Sequence, residues 1–482
     1  MRETDNENPV TAREPGWSEV LSGGNLSKLL LLCFGVWLHA ASSMLAATTL
    51  PSAITEIGGA HLIGWAFMLY QLGSIVAGTA TGLLMARLGL RFALNSAAGL
   101  YGIGSLVCAM SPSIEVLLAG RLLQGIGGGW LVALVFVSLN RIFPPSFTPR
   151  IMAVVSAVWS VSAFCGPLVG GTFATFGMWR FAYASFLIQS VIFIFFCFRV
   201  LKADDSRGES AVRIPLRRLG LLVVAILLMS VAGAYVDSVR TPILFLVSLL
   251  VFALFLYRDE RSPENRMLPS RPFSLRHPLG AGMVMVLCAS TASMSFLVYG
   301  PLLLENLYGV TPLVSGYIVA LESIGWGMAA IGFSHASERW EPWLIRAGII
   351  TITLGIIGFA LTFPEGPVWA IIPCALVQGA GFGMMWGFVV RRIISSAPDL
   401  EKDRASSAIA ATQQTGFALG AATTGIVANT IGFSGGNMVE SGQLLGFWIF
   451  MAYVPLGLFA CLAAWLLTAS GVIYHRKTHG HA

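Results

Sequence analysis

The sequence predicts an all-α integral membrane protein of fourteen transmembrane helices, arranged as two six-helix bundles with two further helices inserted between them. Three observations predict it. The 482 residues are 56% hydrophobic and only 11% charged, with a mean hydropathy of +0.77, and a soluble fold of this length needs a far more charged exterior. The apolar residues gather in stretches of about twenty, the length at which a helix crosses a bilayer. The charges fall in the gaps between those stretches. Hydrocarbon offers no partner to a backbone N–H or C=O, so each stretch has to satisfy its own, which an α-helix does.

Taken in order, the predicted spans are 26–50, 62–86, 93–111, 115–140, 151–175, 181–199, 217–236, 240–257, 278–304, 312–334, 344–363, 367–390, 404–430 and 443–470. The apolar run from Leu26 is too long for a signal-peptide core and no small-residue cleavage site follows, so it is expected to be an uncleaved first helix. An even number of crossings puts both termini on one side. With the N-terminus in the cytoplasm, all 29 Lys and Arg lie on the cytoplasmic side except Arg180 and Arg240, outside, and Arg121, inside a helix. The densest basic clusters are Arg199–Arg218 and Arg258–Arg276, whereas Glu56, Glu115, Asp237, Glu305, Glu365 and Glu440 fall at the external ends. That is the positive-inside asymmetry, and it predicts a multi-pass membrane protein with both termini cytoplasmic. The expected organisation is a cytoplasmic tail at 1–25, a first bundle at 26–200, a linker with the extra pair at 201–277, a second bundle at 278–470 and a tail at 471–482.

Several function classes are excluded. The net charge of +6 resides in short loops rather than on a basic face, so nucleic acid is not an expected partner. The seven cysteines lie in or beside apolar spans without a CxxC pair, which supports neither a disulfide framework nor a metal site, and no cofactor is expected. No HExxH or GxSxG occurs, and no segment outside the spans is long enough for a catalytic domain; an enzyme is not expected. Filter-like loops and rings of charge, the marks of a channel, are missing. The glycine run at Gly125 and Gly127 does not follow a strand, and Trp130 stands where a dinucleotide fingerprint needs its last glycine.

An internal repeat is visible. Gln124-Gly-Ile-Gly127 in the fourth span recurs as Gln378-Gly-Ala-Gly381 in the twelfth, and the same offset carries Gly166 of the fifth onto Gly420 of the thirteenth. Parallel repeats of this kind place a substrate site between the halves near mid-membrane.

Four segments carry a family resemblance: Gly82-Leu-Leu-Met-Ala86-Arg87-Leu-Gly89-Leu-Arg91 between spans two and three, Arg121-Leu-Leu-Gln124-Gly125-Ile-Gly127 in span four, Gly166-Pro167-Leu-Val-Gly170-Gly171 in span five, and Trp179-Arg180-Phe181. In this order they resemble the signature segments of the major facilitator superfamily, and the fourteen spans resemble its drug:proton antiporter branch. The resemblance implies the major facilitator fold and secondary transport without a cofactor, with Gly82, Arg87, Gly89, Arg91, Gly166, Pro167, Gly170 and Gly171 as gating elements. In the family the loop after span two latches the halves through an acidic residue; Ala86 stands there, so the latch is incomplete. Close helix packing would also account for the glycines, and interfacial anchoring for the arginines. The opening segments Leu38-His39-Ala40, Thr48-Thr-Leu-Pro51 and Ile57-Gly-Gly59 are similar to a bacterial subgroup that includes a riboflavin uptake protein.

Ionisable residues inside spans are costly, about 2.5–3.5 kcal/mol on insertion scales, and by default mark a pathway. Glu322, Arg121 and His39 are the candidates here. Glu322, mid-way along span ten, is expected to load and release protons, with Arg121 tuning its surroundings and His39 as an accessory group; a hydrogen-bonded packing role is the alternative for each. In fourteen-helix exporters an aspartate stands in the first span; Ser42 occupies that place here, so cation preference loses its usual support. Ser42, Tyr70, Gln71, Gln124, Trp159, Tyr317, Trp326, Gln378, Trp386 and Gln413 are the candidate substrate contacts, since aromatics with a few amides suit a flat organic solute. The expected function is proton-coupled, alternating-access movement of a small, aromatic organic solute by a monomer in the lipid bilayer. Uptake of riboflavin or a similar metabolite is the alternative.

Overall fold

The computed structural model describes residues 19–478, apart from 20, 23, 203–214, 263–265 and 433–437. Nearly all of the expected N-terminal tail, together with the linker arginines Arg207 and Arg213, therefore lies outside the described residues. The long helices are α1 (Asn25–Ile57), α2 (Ile63–Leu88), α3 (Leu90–Ala109), α4 (Ile114–Ile142), α5 (Thr148–Thr175), α6 (Trp179–Val200), α7 (Leu216–Ala234), α8 (Arg240–Glu260), α9 (Pro278–Tyr308), α10 (Pro312–Phe333), α11 (Glu341–Thr362), α12 (Val368–Ser396), α13 (Lys402–Thr430), α14 (Met438–Met451) and α15 (Val454–Thr478).

Each predicted span falls on a helix, with three departures. The first helix does not stop before Pro51 but runs 33 residues to Ile57; a proline removes one ladder bond, which packed neighbours tolerate in a membrane bundle. The last span is broken, because Ala452 and Tyr453 form a turn between α14 and α15. Thirteen stretches among the described residues are long and apolar enough to cross a membrane, and α14 with α15 count as one of them. The 29-residue α13 does not qualify by hydropathy. Several of its polar residues are buried against other helices: it packs on α2, α7 and α9, Thr412, Thr415 and Thr424 are buried, and Thr423 and Thr424 share the Tyr453 hydroxyl at 2.7 and 2.8 Å.

The two halves are built alike. In the first, α1 packs on α5, α2 on α4 and α3 on α4; in the second, α9 packs on α13, α10 on α12 and α11 on α12. The repeated sequence element explains the match. Gly125 lies so close to the Tyr70 carbonyl of α2 that no side chain would fit, and Gly379 does the same against the Glu322 carbonyl of α10. Two residues on, and so on another face of the helix, a Cβ at Gly127 would meet Ala97 O of α3 at 2.7 Å, and one at Gly381 would meet Gly348 O of α11 at 2.5 Å. Gly166 and Gly420 are paired as well: a Cβ at the first would lie 2.6 Å from Ala41 O and 2.9 Å from Met44 Cβ, and at the second 2.5 Å from Thr291 O and 2.7 Å from Met294 Cβ. Small residues let these helix backbones approach where lipid supplies no hydrophobic drive.

We call the face at which α1 begins proximal and the opposite face distal. The halves meet through α5 with α10 and α2 with α13, and the closest contacts are distal. A Cβ at Gly171 would lie 2.8 Å from Leu313 Cα, and one at Gly64 2.5 Å from Ala421 O. Leu313 N donates to Thr175 Oγ1 at 3.3 Å, and the Asn429 amide donates to His61 O at 2.9 Å and to Gly233 O at 2.6 Å. Nearer the proximal face, a Cβ at Gly78 or Gly82 of α2, or at Gly327 or Gly332 of α10, would meet nothing within 4 Å. The inserted α7 fills the seam beside α2 and α13, and α8 packs mainly on α7 with its outer side exposed. Arg218 and Asp259 join the pair through a buried 2.6 Å ion pair, and Asp259 also accepts from Met267 N and Leu268 N at 2.9 Å.

Candidate functional site: a two-lobed cavity between the halves

Two cavities lie between the halves, sharing Met44, Met294, Leu297 and Phe417 as a common wall. The first, about 590 Å3 of empty space, is lined on the second-half side by Ser293, Glu322, Ser323, Trp326 and Phe382. The second, about 350 Å3, is lined on the first-half side by Ser43, Phe67, Tyr70, Gln71 and Arg121.

The first-half lobe is built around Arg121, which is fully buried on α4. Its Nη1 donates to Gln124 Oε1 at 3.0 Å and Ser42 O at 3.5 Å, and its Nε to Ala66 O at 3.3 Å. The guanidinium carbon stands 4.2 Å from the Tyr70 ring centroid, a cation–π contact. Gln124 is held from behind, donating to Ser105 Oγ at 2.9 Å. Tyr70 Oη donates to His39 O at 2.8 Å and lies 3.0 Å from His39 Nδ1. One hydroxyl proton cannot serve both, so Nδ1 carries the hydrogen toward Tyr70 and Nε2 is left as the acceptor. Every partner of the guanidinium is neutral, and among the described residues no carboxylate lies within ion-pair distance of it. The lobe is therefore a buried positive centre.

In the second-half lobe Glu322 Oε1 accepts from Gln378 Nε2 at 2.9 Å, while the same amide lies 3.5 Å from Ser293 O. One turn along α10, Trp326 stacks on Phe382 with ring centroids 5.0 Å apart and planes 5° from parallel, and Trp386 closes on it at 5.9 Å. The arrangement presents a carboxyl group beside a flat aromatic surface. Such a site can take a proton or a cation and can stack a planar ring.

Of the residues singled out in the sequence, Glu322, Arg121, Tyr70, Gln71 and Trp326 line the cavities. Ser42, Gln124, Gln378 and His39 are buried one layer back and hold the lining in place. Trp159 packs edge-on against His39 at 5.9 Å, Trp386 against Trp326, and Tyr317 against Phe164 at 5.6 Å; none of these three lines either lobe, nor does the half-buried Gln413. Gly166, Pro167, Gly170 and Gly171 lie at helix contacts of α5, and a Cβ at Gly316 of α10 would lie 3.2 Å from Pro167. A Cβ at Gly82 would meet nothing within 4 Å among the described residues, Arg87 is exposed, Gly89 caps α2 at φ 75°, and Arg91 stacks 4.6 Å over Phe198 of α6 within its own half.

Sequence reasoning missed Met44, Met294, Leu297 and Phe417, since apolar residues in apolar spans carry no mark. It also passed over Gly128 and Gly129 of α4, where a Cβ would crowd His39 Nδ1 at 2.8 Å and the Ser74 side chain. A run of adjacent glycines in a span, which costs helix propensity, was the available signal.

The sequence matches the profile of the Major Facilitator Superfamily over residues 32–236 and 214–421. It is 31% identical to the probable multidrug-efflux transporter Rv1634 of Mycobacterium tuberculosis, across 95% of this chain and 98% of that protein. It is 23% identical to the riboflavin transporter RibZ of Clostridioides difficile, across 82% and 86% of the two chains. The fold superposes on a D-xylose-proton symporter with a TM-score of 0.63 at 14% identity, covering 90% of this chain and 97% of that one. On this evidence of sequence and fold the chain belongs to the major facilitator superfamily of transporters.

Proposed function

We propose that this transporter exports a small aromatic organic solute across the bacterial inner membrane by alternating access, driven by protons moving the other way through Glu322. The observation that carries this reading is the placement of one carboxyl in the cavity wall, a turn from a stacked tryptophan and held by Gln378. A carboxylate there attracts a proton or a cationic group in turn, which links the two fluxes. Arg121 shapes the facing lobe rather than carrying the proton, since a guanidinium does not deprotonate at physiological pH, and His39 behind Tyr70 is an accessory group for the proton path. The positive-inside asymmetry supports a cytoplasmic proximal face and cytoplasmic termini. The tight distal contacts and open proximal glycines suit an inward-facing state, and rocking of the halves about α5–α10 and α2–α13 would expose the cavity outside. Full-length similarity to the mycobacterial efflux transporter supports export; similarity to RibZ supports riboflavin uptake as the second reading.

The test is transport in proteoliposomes under an imposed pH gradient, with a cationic dye and labelled riboflavin as candidate solutes. Glu322→Gln keeps the side-chain shape and removes the titrating group. Wild-type protein moves solute uphill and the variant only downhill. Undiminished uphill transport by the variant overturns the assignment, and the sign of net movement decides between export and uptake.

A further inference from the structure

We infer that the first-half lobe seats an anionic group of the transported solute while its aromatic body occupies the second-half lobe, so the favoured substrates are aromatic acids and zwitterions rather than plain lipophilic cations. The inference rests on the reading that the cavity between the halves is the substrate path, and it adds the chemical class.

Arg121 carries the argument. It is fully buried, it lines the lobe, and its Nη2 has no hydrogen-bond partner among the described residues. A guanidinium buried among neutral acceptors finds no counter-charge in the protein. The group that would complete it is an anion offering two oxygens, a carboxylate or sulfonate, which a planar guanidinium receives in a fixed geometry. The lobe is also rigid. Gln124 and Ser105 brace Arg121, and the Tyr70 ring beneath it is fixed by His39. Gln71, 8% exposed and on the same wall, has its Oε1 unpartnered. A half-turn of that amide would present a second donor beside Arg121.

The opposite lobe supplies the other half of the match. Glu322 has no basic side chain within ion-pair distance among the described residues, and it stands beside the Trp326–Phe382 stack. Two groups of opposite sign thus flank the shared wall of Met44, Met294, Leu297 and Phe417. Methionine side chains repack easily, and Met44 and Met294 hold equivalent places against Gly166 and Gly420. A solute with an acid at one end and a ring, with or without an amine, at the other meets its complement at both poles. A bare cation meets repulsion in the first lobe, and a neutral ring leaves Nη2 unpaired.

The test uses a rhodamine bearing a free carboxyl and its methyl ester, which share the same aminoxanthene rings. Binding to the purified full-length protein is read by fluorescence anisotropy at equilibrium, with no proton gradient. Loss of coupling through Glu322 would therefore leave this result untouched. Charge-assisted hydrogen bonding predicts that the acid binds roughly tenfold to a hundredfold more tightly than the ester. In Arg121→Gln that preference disappears, because the acid loses its counter-charge while the cationic ester, freed of repulsion, binds as well or better, and Arg121→Lys retains part of the preference. Should Arg121→Gln fail to fold, sodium benzoate competition decides: it displaces the acid dye at concentrations that leave the ester bound. Equal or weaker binding of the acid by wild-type protein, parallel loss of both dyes in folded Arg121→Gln, no binding of either dye, or benzoate displacing both alike would each overturn the inference.

Discussion

If the distal seam is what holds the cavity shut, a single methyl group on it shifts the conformational balance. Gly64 of α2 is the place to put one, because a Cβ there would stand 2.5 Å from the Ala421 carbonyl oxygen and 3.7 Å from Gly425 N. The first distance is about 1 Å short of ordinary van der Waals contact. The opposing atoms are helix backbone, so no side chain can swing aside and α2 has to retreat from α13. Overpacking of this kind costs about 1–3 kcal/mol. The cost falls only on the state in which the two helices touch, so Gly64→Ala favours the distally open state by roughly 5- to 150-fold. Gly78→Ala on the same helix is the control, since its Cβ meets nothing within 4 Å. Nitroxide labels at Ala60 and Thr430, on the two sides of the seam, report the opening as a longer distance in nanodiscs. A Gly64→Ala distance distribution identical to wild type, or an equal shift in Gly78→Ala, refutes the reasoning.

Three further outcomes follow from the packing. Asn429→Ala removes both hydrogen bonds that tie α13 to His61 and Gly233 and lowers stability by about 1–3 kcal/mol; the melting temperature of the purified protein measures it, and an unchanged value rejects the junction. Arg218→Ala leaves the buried Asp259 carboxylate without its cation and costs about 3–5 kcal/mol, whereas combining it with Asp259→Asn, which removes the charge and keeps an acceptor oxygen for the Met267 and Leu268 amides, costs clearly less; equal losses in the two variants would mean that the ion pair is not the cause. At the distal turn between α7 and α8, the backbone amides of Arg240 and Val239 hold the exposed Asp237 below the usual carboxylate range. Its contribution is fully present above about pH 4 and is lost as pH falls through the depressed folded value. Protection of the Val239 and Arg240 amides, taken as the ratio of intrinsic to observed exchange rate at each pH, accordingly falls in acid in the wild type and shows no such fall in Asp237→Ala.

Much of the fold was legible because the bilayer makes secondary structure a local matter. Leu26 onward, or Phe186 onward, has to be helical whatever it touches, and the charges between spans mark where the helices end. Even α13, too polar to qualify by hydropathy, was readable from its length and its bounding turns. The break at Ala452 and the continuation of α1 through Pro51 were not readable. Both depend on neighbours that satisfy or strain a few backbone groups. The candidate site was half legible. An ionisable residue inside a span announces itself by its cost, which singled out Arg121, Glu322 and His39, while Met44, Met294 and Phe417 could not be told from packing residues.

By itself, then, the sequence determined where the long helices lie, their order, the repeat that pairs Gly125 with Gly379, and the small set of polar groups that had to be accommodated. Tertiary structure decided which of those groups meet. It set Tyr70 beneath Arg121 and beside His39, gave Glu322 to Gln378, put Trp326 on Phe382, and closed the distal seam at Gly64 and Gly171. The physical reason is that hydrophobicity and backbone hydrogen bonding fix a helix in the membrane without fixing its rotation about its own axis. Rotation and partner choice come from how closely each glycine lets the next helix approach, a property of two surfaces that no single span contains.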